Sequence, residues 1–144
     1  MKKVLFVCTG NTCRSPMAEY VFNDICKRNN LPFESKSAGV CTITGLPMSE
    51  NSAAVLQEAG INAEGFVSTS IDEVDLSQTE NFAVMSEDHK RILVELFSVD
   101  EKKITVMNIS DPYGGSLGRY RNCFDEIVLS VKKLAEVLGG QNGD

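Results

Sequence analysis

The sequence predicts an α/β fold, a single domain built on a parallel sheet. Three observations point there. Short apolar segments alternate with segments of helical periodicity along the 144 residues. The first of them, VLFVC, is apolar without alternation, as a central strand buried on both faces must be. No repeat, low-complexity run or linker interrupts the chain, and its length suits one domain spanning residues 1–144.

Residues 3–8 (KVLFVC) form the first strand, closed by a turn containing Gly10. Residues 15–29 form the first helix. Ser15 supplies its N-cap, and Pro16 takes the first helical position, where a missing N–H costs nothing. Met17, Tyr20, Val21, Phe22 and Ile25 make its apolar face. Residues 33–38 are a second strand. Residues 47–59 read as a helix that Gly60 stops. Residues 71–76 suit a short helix, and NFAVM at 81–85 is a third strand. A helix over 87–97 leads to a fourth strand over 104–107. Residues 118–138 form a long terminal helix, with Tyr120, Phe124, Ile127, Val128, Val131, Leu134 and Leu138 at helical spacing. The tail GGQNGD, 139–144, is expected to fray. Crossovers between such strands are right-handed, and ligands bind beyond the carboxyl ends of the sheet. Cys8 ends the first strand and Asp111 follows the fourth, so both reach one edge.

Composition narrows the function. A net charge of −6 argues against a nucleic-acid groove or an anionic membrane as the main partner. The opening MKKVLFVC has the lysines of a leader, but its apolar run is shorter than the ~7–15 residues of a signal core. No run approaches the ~20 residues that span a bilayer. The expected location is the cytoplasm. The five cysteines, an odd number, are then expected to be thiols. Cys26, Cys41 and Cys123 read as structural.

The chemistry concentrates in CTGNTCRS, residues 8–15. A loop running from a central strand into a helix N-terminus meets unpaired N–H groups and the positive end of the helix dipole. Thr9, Gly10, Asn11, Thr12 and Cys13 let the backbone curl its N–H groups inward as a nest, with Gly10 able to take a positive φ. Arg14 adds a planar fork suited to phosphate oxygens. A thiol at Cys8 in that field is expected to ionise easily, since helix N-termini and cations bring cysteine pKa values to ~3.5–7.5. The loop lacks the G-x4-G-K-[ST] of a nucleotide-binding P-loop and the glycines of a dinucleotide fingerprint. Cys8, Cys13 and the sole His89 lack metal-ligand spacing, so neither metal nor cofactor is expected.

CTGNTCRS with PMAE after it, SAGV at 37–40, MSEDH at 85–89 and DPYGGS at 111–116 together resemble the low-molecular-weight protein tyrosine phosphatases. The resemblance covers essentially the whole chain. It implies a four-stranded parallel sheet flanked by helices on both faces, a phosphate-binding loop between strand 1 and helix 1, and a two-step reaction through a phosphocysteine. It implies Cys8 as nucleophile, Arg14 binding the phosphoryl oxygens, and Asp111 as general acid and then base. Asn11 and Ser15 resemble residues that hold the loop and stabilise the thiolate, and Ser37 one that braces Asn11. His89 resembles a family histidine, or packs locally at a helix start. Tyr113 is expected to wall the cleft. The partners implied are phosphorylated proteins, with inorganic phosphate as product. The residues themselves suit this chemistry: phosphoryl transfer needs positioning and charge neutralisation at the equatorial oxygens, plus a proton for the leaving group.

Two positions bear on the substrate. Thr12 stands where the phosphotyrosine pattern usually has a bulky aliphatic residue, and Gly114 where it tends to have a second aromatic. Both weaken an apolar slot for a phenyl ring. In these motifs the sequence is closest to the bacterial protein arginine phosphatases of the family, and a hydroxyl at position 12 with the Asp111 carboxylate can hydrogen-bond a guanidinium. The alternative is a phosphotyrosine-specific enzyme. A thioredoxin-coupled arsenate reductase on this scaffold needs two further cysteines about eighty residues in, and none lies between Cys41 and Cys123. A non-catalytic phosphopeptide-binding module needs no pairing of Cys8 with Asp111. Under peroxide, a Cys8 sulfenic acid is expected to be trapped as a disulfide by Cys13.

Overall fold

The computed structural model describes residues 1–142. Four strands, β1 (Lys2–Cys8), β2 (Phe33–Gly39), β3 (Asn81–Val84) and β4 (Ile104–Val106), form one sheet in the order β2-β1-β3-β4. Every pairing is parallel. Four α-helices accompany them: α1 (Arg14–Arg28), α2 (Glu50–Glu58), α3 (Glu87–Phe97) and α4 (Leu117–Asn142). Short 3₁₀ turns cover Ile71–Glu73, Leu76–Gln78 and Glu101–Lys103.

The unbroken apolar run of β1 follows from its place between β2 and β3. Val4, Phe6 and Cys8 point to one face, where they pack with Met17, Val21 and Phe22 of α1 and with Tyr120, Ile127 and Val131 of α4. Leu5 and Val7 point to the other, against Phe82, Val84, Ile71 and Leu93 of α3. Phe6, Phe22 and Phe33 meet edge to face, with centroids 5.6 and 6.5 Å apart. Burying each such ring is worth roughly 1.5–3 kcal/mol. The order 2-1-3-4 reverses direction at β1, so the crevice beyond its carboxyl end is the place for a ligand.

The elements differ from the sequence expectation mainly at their ends. The first helix begins at Arg14 with Cys13 as a cap residue that offers no side-chain hydrogen bond. Ser15 is therefore inside the helix rather than its N-cap, and Pro16 is its third residue, still within the first turn where no N–H is required. The helix expected over 47–59 starts only at Glu50. Ser49 caps it by accepting from the Ser52 N–H, while Pro47 pairs with Val67 in an isolated bridge. The short helix expected over 71–76 is two 3₁₀ turns. The terminal helix carries through Gly139 and Gly140 to Asn142, so this part of the tail expected to fray is helical. Gly143 and Asp144, its end, lie outside the described residues. Among the described residues no helix is long and apolar enough to cross a membrane.

Candidate active site

The loop between β1 and α1 closes around the Cys8 sulfur. Its curl is taken by Asn11, whose φ is 56°, and not by Gly10, which stays out of the left-handed region. Asparagine is among the few residues that accept this conformation, and here its side chain repays the strain. Asn11 is fully buried. Its Nδ2 donates to Ser15 Oγ and Ser37 Oγ at 2.9 Å each, and its Oδ1 accepts from the Thr69 N–H at 2.8 Å. Ser37 passes its own proton to Glu19 Oε1 at 2.5 Å. The loop is thereby tied to β2, to α1 and to the segment before the first 3₁₀ turn.

Cys8 Sγ lies 2.8 Å from Ser15 Oγ and accepts the Asn11 N–H at 3.2 Å. Burial pushes the thiol above its ordinary range, while the Ser15 hydroxyl and N–H, the Asn11 N–H and the Arg14 charge pull it down. Burial prevails, which corrects the expectation of an easily ionised thiol. The sequence displays the donors around the sulfur, but not how completely the fold removes that sulfur from water.

Arg14 and Asp111 complete the edge. The Arg14 guanidinium is buried; Nη1 donates to Ile109 O at 2.9 Å, and Nη2 lies 3.8 Å from Asp111 Oδ2. The Asp111 side chain is 55% exposed, so this contact contributes little to stability. Asp111 Oδ1 also accepts the Tyr113 N–H at 3.0 Å, so the turn geometry of Asp-Pro and the placement of the carboxylate are one arrangement. Arg119 steadies the same segment by donating to Asp111 O at 3.2 Å. A cleft of about 270 Å³ is lined by Cys8, the loop residues Thr9 through Arg14, Asp111 and Tyr113. Tyr113, which is among the lining residues, is 80% exposed.

His89 joins the site from α3. Its Nε2 pairs with Thr9 Oγ1 and its Nδ1 with Ser86 Oγ, both at 2.9 Å. Burial and then the Arg14 charge lower its pKa to about 4, so the ring is neutral at pH 7. The two readings of this residue merge: it packs at a helix start and braces the loop.

Comparison with known proteins identifies the family. Residues 3–142 match the family described as low molecular weight phosphotyrosine protein phosphatase. The chain belongs to that family. It is 36% identical to a protein-arginine-phosphatase of Geobacillus stearothermophilus, over 94% of this chain and 95% of that one. It is 32% identical to a low molecular weight protein-tyrosine-phosphatase of Staphylococcus haemolyticus, over 92% and 96%. A solved low molecular weight protein tyrosine phosphatase from T. tengcongensis superposes with a TM-score of 0.89 at 38% identity, over 94% and 99%. The protein is thus a cysteine-dependent low-molecular-weight phosphatase, and the four-stranded parallel sheet with the loop between β1 and α1 is the family's fold.

Sequence reasoning assigns no structural role to several residues that hold this phosphatase site. Thr69 acts through its backbone N–H, which any residue but proline supplies. Glu19 stands in the PMAE motif but sits on a helix, where a carboxylate ordinarily faces water; here it is buried and its pKa raised, burial outweighing the Ser37 hydrogen bond and Lys36. Gly39 ends β2, where a Cβ would come 2.6 Å from Thr9 O. Cys13 has its own partners: its sulfur lies 3.3 Å from Tyr120 Oη and 3.6 Å from Ser49 Oγ, whereas Cys8 is held by Ser15 and Asn11. The Cys8–Cys13 disulfide expected under peroxide requires Cys13 to leave these contacts. All five cysteines are free thiols.

Proposed function

We propose that this phosphatase removes phosphate from phosphorylated proteins by way of a phosphocysteine on Cys8, with phosphoarginine as the favoured side chain. The observation that carries the reading is the 270 Å³ cleft, which gathers Cys8, Arg14 and Asp111 around one nest. The Cys8 thiolate attacks phosphorus as the bond to the leaving nitrogen or oxygen breaks. Arg14 and the loop N–H groups take up the charge of the equatorial oxygens. Asp111, in its protonated form, gives its proton to the leaving group. As carboxylate it then takes a proton from the water that attacks phosphorus, which releases inorganic phosphate and returns Cys8 to thiolate. The acidic surface and the free thiols suit a protein substrate met in a reducing cytoplasm.

Thr12 and Gly114 support phosphoarginine. Thr12, whose side chain carries a hydroxyl, and Asp111, whose carboxylate is half exposed, both line the cleft. A guanidinium entering the cleft gives up hydrogen bonds to water, and these acceptors restore them. The relative named protein-arginine-phosphatase points the same way. Phosphotyrosine is the second reading, and the exposed ring of Tyr113 favours it as a stacking wall. A side-by-side measurement of kcat/KM on phosphoarginine and phosphotyrosine peptides separates the two. Cys8→Ser is expected to abolish turnover on both while still binding vanadate; near-normal turnover in that variant refutes the mechanism.

A further inference from the structure

The polar chain behind the loop has a direction. Asn11 Oδ1 accepts from a backbone N–H, which can only donate, so the amide has one orientation. Both Nδ2 protons are then committed, to Ser15 and to Ser37. Each serine hydroxyl holds one proton of its own. Ser37 sends its proton to Glu19 Oε1, and Ser15 is left to send its proton to Cys8 Sγ. The chain needs an acceptor at each end, and Glu19 is the one remote from the chemistry. A buried carboxyl is costly to keep, and a helix facing the core would be cheaper with an apolar residue there. Glu19 opens on a separate cavity of about 470 Å³ lined also by Tyr20, Lys36, Phe66 and Glu73.

We propose that Glu19 is a positioning residue: as the terminal acceptor for Ser37 it locks the orientation of Asn11, and through it holds Ser15 as donor to the Cys8 sulfur. Without that acceptor the Ser37 proton has no partner, the hydroxyl turns, and Asn11 loses one of its ties. The loop then relaxes at its left-handed residue and Ser15 is freed to turn away from Cys8. The charged or titratable groups around Glu19 are Lys36 on β2, Tyr20 on α1 and Glu73 in the first 3₁₀ turn. Those around Cys8 are Cys13, Arg14, Asp111 and Tyr113 in the cleft, with His89 against Thr9. The inference rests on Cys8 as the reacting group, but alkylation of its thiol reads the chain independently of turnover.

The test is the rate of Cys8 alkylation by iodoacetate between about pH 6 and 11, located by peptide mass spectrometry, alongside kcat and KM. Glu19→Met has similar length and no acceptor. It is expected to raise the pH of half-maximal alkylation by about 0.5–1 unit and to lower kcat about three- to tenfold with KM within about twofold. Ser37→Ala is expected to do the same, and the double variant no more than either single one, because both cut one chain. A folded Glu19→Met with the wild-type profile overturns the inference, as do single shifts that simply add. If Glu19→Met does not fold, Glu19→Asp draws the carboxylate back by one methylene. An upward shift is expected there too, and an unmoved profile is equally fatal. If alkylation shifts as expected while Cys8→Ser retains turnover, the chain stands and the phosphocysteine reading fails.

Discussion

Gly39→Ala tests how the phosphate loop is held against the sheet. Gly39 is the last residue of β2, in register with Cys8. A Cβ built there lies 2.6 Å from Thr9 O, 2.8 Å from Thr42 Cγ2 and 3.1 Å from Asn11 Cβ. The first of these contacts decides the outcome, because Thr9 O is backbone and is already held by the Cys41 N–H at 3.0 Å. It cannot withdraw without breaking that bond, while the neighbouring Cys8 O is held by the Val40 N–H at 3.0 Å. Gly39 itself donates to Thr69 O at 2.9 Å, and the Thr69 N–H holds Asn11, so a retreat of β2 disturbs the loop from the other side. Overpacking of this kind costs ~1–3 kcal/mol. In a chain of this size that is a fall in Tm of about 3–12 °C. The loop must also shift by several tenths of an ångström, and since a misplacement of ~1 Å can cost ~10²-fold, kcat/KM is expected to fall about tenfold. Thermal melting and para-nitrophenyl phosphate kinetics measure both. Gly139→Ala is the control: its Cβ meets only Leu31 Cδ2 at 3.5 Å within a helix, and it is expected to stabilise by ~0.5–1 kcal/mol. A Gly39→Ala protein with unchanged Tm and unchanged kcat/KM refutes the clamped loop.

Asp111→Asn is expected to lower kcat by the ~10²–10⁴ of a lost proton transfer and to flatten the alkaline limb of the kcat/KM–pH profile, where an acid that must be protonated loses its proton; an unchanged rate and profile leave Asp111 only its turn. For His89, the folded pKa of about 4 lies below the ordinary 6.5, so the unfolded chain binds the proton first. Its neutral form therefore favours the fold fully above pH 6.5, and this is lost as pH falls through 6.5 toward 4, by at most about 3 kcal/mol. The stability difference between the wild type and His89→Gln, followed by melting, should shrink over that window; a difference constant with pH counts against it. Thr12→Ile should lower kcat/KM on phosphoarginine, where an unpaired donor costs ~1–3 kcal/mol, and raise it on phosphotyrosine through added apolar contact. The ratio of the two should move about tenfold to a few hundredfold, and a fixed ratio removes Thr12 as selector.

The parts legible in the sequence are those that a single residue type announces. A thiol ending an unbroken apolar strand, an arginine opening a helix and an Asp-Pro after the last strand locate three groups on one sheet edge, and topology alone brings them together. What stayed hidden depends on contacts between segments far apart in the chain. The helix start illustrates it. Ser15 has the chemistry of an N-cap and sits before a proline, but its hydroxyl is claimed by Cys8 and Asn11, so the helix begins one residue earlier without a side-chain cap. Local propensity lost to the needs of the loop.

The same competition explains why the left-handed turn fell to Asn11 and not to Gly10. A glycine there would adopt the conformation freely, but it would leave the loop without ties to Ser15, Ser37 and Thr69. Asparagine accepts the conformational cost and converts it into three hydrogen bonds to separate segments. The loop is therefore held in shape by its own side chains before any phosphate arrives. In the proposed mechanism its N–H groups need not reorganise when charge develops on the phosphoryl oxygens, and this preorganisation offsets the burial that disfavours the Cys8 anion.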